Sequence, residues 1–137
     1  MARILAIDYG KKRTGVAVTD ELQIVPGALD TIETSKLMRF LDDYVSKEQV
    51  ERVIIGEPRQ PNGQPSENLQ RVLVFEEQWK RKHPEIPIQG WDERFTSVLA
   101  HRAMIDAGLH KKDRQDKALV DKISATIILQ DYLASVK

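Results

Sequence analysis

Three acidic positions and one basic run hold the chemistry available in this sequence. Asp8 closes an apolar run, Ile4-Leu5-Ala6-Ile7, that reads as a buried strand without alternation. A carboxylate at the end of such a strand is costly unless something pairs with it. Asp92 and Glu93 close a second strand pattern in GWDERFTS, and Asp121 lies within the helical pattern LVDKISATIIL. Strand ends of an open α/β sheet are where sites form. Ser124 and Ala125 lie one turn from Asp121 on its helical face. Small residues there would let the helix approach the sheet and bring Asp121 toward Asp8. Lys11, Lys12 and Arg13 follow Asp8 in a turn flanked by Gly10 and Gly15, residues suited to close backbone approach.

Converging carboxylates cannot all stay ionised side by side without a partner. Hard divalent cations supply one: Mg²⁺ takes oxygen ligands and keeps several waters. Two such ions about 4 Å apart can activate a water and stabilise the leaving oxygen of a phosphodiester. In that reading Asp8 bridges the ions, and Lys11, Lys12 and Arg13 hold phosphates nearby. Each acid also has an ordinary role. Asp20, Asp30 and Asp42 read as turn or cap residues, Asp121 as a helix-surface acid favoured by the dipole, and Glu93 as a partner of Arg94. Spacing alone leaves the metal site and these ordinary roles both open.

The elements that must position these residues follow from pattern. Residues 3–8 and 14–20 read as strands joined by DYGKKR, and a third strand falls near Leu29–Ile32 after a Pro26-Gly27 turn signal. Thr34 or Ser35 caps a helix through about Lys47, and Val53-Ile54-Ile55 reads as a buried strand cut off by Gly56 and Pro58. GEPRQPNGQPSE is a loop. Ser66 caps a second helix around Leu69, Val72, Leu73, Phe75, Glu76 and Trp79. A strand at about Ile86–Trp91 precedes a third helix that opens at Thr96-Ser97 and stops at Gly108. The polar stretch 109–115 leads into a last helix from about Asp116 to Ala134. A hairpin sheet passing into strand–helix units requires a mixed sheet with helices on both faces, in one domain spanning residues 1–137.

With 137 residues the chain can close one ordinary core but not two full lobes. It has no cysteine, which excludes disulfides and thiolate metal sites. No apolar run approaches the ~20 residues of a membrane span, and MARILAIDYG lacks a signal-peptide cleavage site, so a cytoplasmic location is expected. The formal net charge is zero, but there are basic clusters at Lys11-Lys12-Arg13, Lys80-Arg81-Lys82-His83 and His110-Lys111-Lys112 with Arg114. Each cluster alone reads as solvated surface; together they are compatible with a basic face around an acidic pocket.

IDYGKKRTGVAVTD, IIGEPRQPNG, WDERFTSVLA and VDKISATIILQDYL, in this order and spread over nearly the whole chain, resemble the YqgF/RuvX family of ribonuclease H-like nucleases, related to Holliday junction resolvases. The resemblance implies a five-stranded mixed sheet, the first three strands antiparallel, with helices on both sides. It puts the family's acidic triad on Asp8, Glu93 and Asp121, as metal ligands for Mg²⁺ or Mn²⁺ and as catalytic residues. Lys11, Lys12, Arg13 and Arg94 are then candidate substrate contacts, and Asp92 a residue that orients Glu93 or Arg94. Glu57 stands where the family typically has leucine; it is either a fourth carboxylate at the site or a loop residue pointing to solvent, and solvent is the expectation. Ser124 stands where alanine is common. The implied activity is metal-dependent endonuclease action on structured nucleic acid, in maturation of the 5′ end of 16S ribosomal RNA precursor. Cleavage of branched DNA and non-catalytic RNA binding in ribosome assembly are the alternatives. The implied partners are nucleic acid and ribosomal particles, with no membrane, for a monomer or homodimer. Actin-like kinases share the Asp-x-Gly start, but they need two such lobes.

Overall fold

The computed structural model describes residues 2–58, 68–92 and 117–136. β1 (Arg3–Asp8), β2 (Arg13–Thr19) and β3 (Pro26–Glu33) form an antiparallel meander. A 3₁₀ turn, Thr34–Lys36, leads into α1 (Leu37–Lys47). β4 (Val50–Glu57), α2 (Leu69–Lys82), β5 (Ile88–Asp92) and α3 (Lys117–Ser135) complete the described elements. β4 pairs parallel with β1 and β5 parallel with β4, giving the order β3-β2-β1-β4-β5. This is the mixed five-stranded sheet expected from the sequence.

The runs without alternation are explained by burial on two sides. Ile4 to Ile7 and Val53 to Ile55 are all buried, because β1 and β4 lie inside the sheet with helices on both faces. On one face Leu5, Ile7, Val16, Val53 and Ile55 pack with Leu37 and Leu41 of α1 and Val72, Phe75 and Trp79 of α2. On the other, Ile4, Ala6, Ala17 and Ile54 pack with Ala125, Ile128, Leu129, Tyr132 and Leu133 of α3. Alanines on the α3 side let that helix sit low on the sheet.

Several boundaries differ from expectation for identifiable reasons. Pro26-Gly27 is not the turn; it opens β3, with Pro26 opposite Thr19 and Gly27 opposite Val18. Proline is tolerated there because β3 is an edge strand and Pro26 its first residue. The turn is instead built by Asp20, whose carboxylate accepts hydrogen bonds from the backbone N–H groups of Leu22, Ile24 and Val25. Thr34 makes no cap bond. β4 runs through Gly56 to Glu57, and Leu73 is exposed rather than on the packed face of α2. The predicted helix after Thr96-Ser97, the stretch 109–115, Ser66 and most of the loop after β4 lie outside the described residues.

Candidate functional site

The site is set by one step of the β1–β2 ladder. Asp8 is paired with Gly15. Side chains alternate along a strand, so Asp8 shares a face with Ile4 and Ala6, the face covered by α3. A Cβ at Gly15 would collide with the backbone carbonyl of Asp121 and stand 3.1 Å from the Asp121 Cβ. The helix thus rests on bare strand backbone at this point. Residues opposite one another in an antiparallel pair have Cβ positions about 4.5–5.5 Å apart. The Asp121 backbone therefore stacks on the ladder step that carries Asp8. Ser124 and Ala125, both buried, complete the close approach expected from the sequence.

Arg13 lies at the start of β2, with its Nε 3.4 Å from Asp121 Oδ2. Both groups are partly exposed, so the pair adds at most about 1 kcal/mol to stability. Its positive charge nevertheless lowers the repulsion between two neighbouring carboxylates. Lys11 and Lys12 are exposed in the turn between β1 and β2. Thr34 ties this turn down: its N–H donates to the Lys12 carbonyl at 2.9 Å and its hydroxyl to the Gly10 carbonyl at 2.7 Å. The Thr14 hydroxyl lies 2.9 Å from that of Thr34. A side chain at Gly10 would collide with the Arg13 carbonyl, so the tight turn requires glycine there. Sequence reasoning assigned Thr34 to a helix cap and missed this role; only its place opposite the turn in the β2–β3 pairing reveals it.

The remaining acids gather on the other face. Glu57 is paired with Asp92 across β4 and β5, and partners in a parallel ladder project to the same side. That side is the α2 face, where Val53 and Ile55 are packed. Glu57 does not point to solvent as expected. Its carboxylate lies over Gly90, where a Cβ would collide with it, and is hydrogen-bonded to Glu76 of α2. Burial pushes the Glu76 carboxyl up to about 7, and the hydrogen bond and the charge of Glu57 push the same way. The signal available in the sequence was Glu76 itself, an acid among the apolar positions of α2. Asp92 shares the Glu57 face rather than that of Asp8. Glu93 and Arg94 lie outside the described residues.

Asp8 and Asp121 are hard oxygen donors converging at one strand end, the donor chemistry suited to Mg²⁺ or Mn²⁺. Among the described residues no third acid or histidine joins them.

Comparison with known proteins is consistent along the whole chain. The sequence profile of RuvX, described as Holliday junction resolvase, matches residues 2–135. A protein of Phocaeicola vulgatus named "Putative pre-16S rRNA nuclease" is 63% identical over 137 residues, covering 100% of this chain and 99% of that protein. One of the same name from Bacteroides thetaiotaomicron is 58% identical over 135 residues, covering 98% of each. Among solved structures, T. thermophilus RuvC in complex with Holliday junction substrate superposes with a TM-score of 0.58 at 14% identity, covering 98% of this chain and 96% of that one. That likeness establishes a ribonuclease H-like fold.

Proposed function

The chain belongs to the RuvX family, and from that premise we propose that it is a metal-dependent endonuclease that processes the 5′ end of pre-16S ribosomal RNA in the cytoplasm. The observation that carries the reading is the convergence of Asp8 and Asp121 at the Gly15 step, with basic residues on the adjoining turn. The names of the relatives at 63% and 58% identity supply the substrate.

Asp8, Asp121 and Glu93, the residue that follows β5, are the proposed ligands of Mg²⁺ or Mn²⁺ and the catalytic acids. A bound cation of this kind supplies Lewis-acid stabilisation of phosphate charge and a water of lowered pKa. Asp8, fixed by the β1–β2 ladder, would hold that cation where the strand ends. Arg13 steadies Asp121 when the site is empty and is positioned to turn to a phosphate oxygen when substrate enters. Lys11 and Lys12, exposed on a turn fixed by Thr34, contact the neighbouring phosphates, and Arg94 is proposed for the same task beyond β5.

The family description favours a second substrate, four-way DNA junctions, and resolution of a two-fold symmetric junction would require a homodimer. Incubation of the purified protein with labelled pre-16S RNA and with a four-way DNA junction, in Mg²⁺ or Mn²⁺, separates the two. Cleavage of the RNA near its mature 5′ end, abolished by Asp8→Asn in a protein that still folds, is the expected result. Undiminished cleavage by Asp8→Asn would remove the assignment of the acids.

A further inference from the structure

We propose that Tyr9 and Arg71 form a pocket that holds one unpaired nucleobase beside the proposed cleavage site. The inference rests on the nucleic-acid reading above and deepens it by naming a contact to a base rather than to phosphate. Tyr9 directly follows Asp8, so strand alternation sends its ring to the α2 face. There it packs against Phe75, ring centroids 5.4 Å apart and planes tilted by 44°. Its backbone is held in place, since the Asn68 side-chain amide donates to the Tyr9 carbonyl at 2.7 Å. The ring remains partly exposed, and it lines a pocket of about 240 Å³ together with Gln70, Arg71, Val74, Phe75 and Gln78. Pockets that enclose a whole drug-sized ligand run to about 300–1,000 Å³. This one suits a single ring system.

The lining has the chemistry of a base site. An aromatic face stacks on any nucleobase, and a guanidinium plane does the same while carrying charge toward phosphate. Carboxamides such as Gln70 and Gln78 present both donor and acceptor atoms to a base edge. Among the described residues Arg71 has no carboxylate partner. The Tyr9 phenol is held above its usual range by burial, which Arg71 opposes, so the cation lies near the ring. A pocket this small cannot admit a base pair. With Asp8 on the α3 face and this pocket on the α2 face, a strand crossing the sheet end would leave its phosphate at Asp8 and turn the adjacent base into the pocket.

The test uses the full-length chain in EDTA and a single-stranded RNA dodecamer with 2-aminopurine placed at each position in turn. Stacking quenches the probe. Quenching at one position in the bound complex is expected, retained by Tyr9→Phe and lost in Tyr9→Leu, with binding weakened about 10-fold, within the range for losing one base stack. Arg71→Ala, at an exposed position where misfolding is not a concern, should weaken binding several-fold and reduce the same signal. RNA that binds with no quenched position, or quenching unchanged in both Tyr9→Leu and Arg71→Ala, overturns the pocket and leaves the nuclease reading standing. Failure to cleave either the RNA or a four-way DNA junction once Mg²⁺ or Mn²⁺ replaces EDTA overturns the nuclease reading, and the base site with it.

Discussion

Glu76→Gln should remove the pH dependence that the Glu57–Glu76 pair imposes on stability. Glu76 is 8% exposed, and its Oε2 is buried without a hydrogen-bond partner among the described residues. Burial, then Glu57, raise its carboxyl from 4.5 to about 7; Lys80 pulls the other way and Glu77 adds slightly. An acid whose folded value lies above its unfolded one binds more protons when folded, so stability falls as pH rises between the two values. The fall across that range is about 3 kcal/mol, and about 2 kcal/mol of it lies between pH 5.5 and 8.5. Glutamine keeps the shape, cannot ionise, and can donate its amide hydrogen to Glu57. Urea denaturation of both proteins at pH 5.5 and 8.5 gives the double difference, from which titrating groups that do not interact with Glu76 cancel. Glu76→Gln should gain about 2 kcal/mol on the native protein over that interval. Equal pH slopes for the two proteins would show that the pair does not share a proton, and would refute the reasoning.

Other perturbations act on the α3 face. Gly15→Ala forces the Asp121 backbone off the sheet and should cost about 1–3 kcal/mol in urea denaturation, as overpacking does, with cleavage lost in proportion to the displacement of Asp121. Arg13→Gln should change stability by less than about 1 kcal/mol yet lower the metal concentration needed for half-maximal cleavage, because the guanidinium no longer competes with the cation for Asp121; an unchanged requirement would exclude that role. Thr34→Val removes the hydroxyl bond to Gly10 and should cost about 1 kcal/mol, together with weaker RNA binding measured by filter retention.

Much of this was legible in the sequence because it depends on period and composition. The runs at Ile4–Ile7 and Val53–Ile55 announced strands covered on both faces, and Ser124-Ala125 announced a helix that comes close to the sheet. Asp8 and Asp121 could be nominated as a pair for that reason. What was not legible depends on register. Gly15 could be read as suited to close backbone approach, but what approaches it, the Asp121 backbone on the step that carries Asp8, follows only from the register. Glu57 was assigned to solvent because its neighbours are loop residues, whereas the strand continues one residue past Gly56 and turns it toward α2. Pro26-Gly27 misled in the same way: its turn signal is real, but Asp20 had already closed the turn through its carboxylate.

The seat of α3 on Gly15 has a temporal meaning. The Arg13–Asp121 contact joins residues 108 positions apart, so Asp8 waits for a partner synthesised more than a hundred residues after it. A nascent chain that has formed its strands but not yet emitted α3 leaves Ala6, Ala17 and Ile54 uncovered and holds Asp8 without Asp121. On the proposed assignment, competence for cleavage waits for α3: a chain whose sheet has formed without that helix lacks one of its proposed acids and cannot cut RNA.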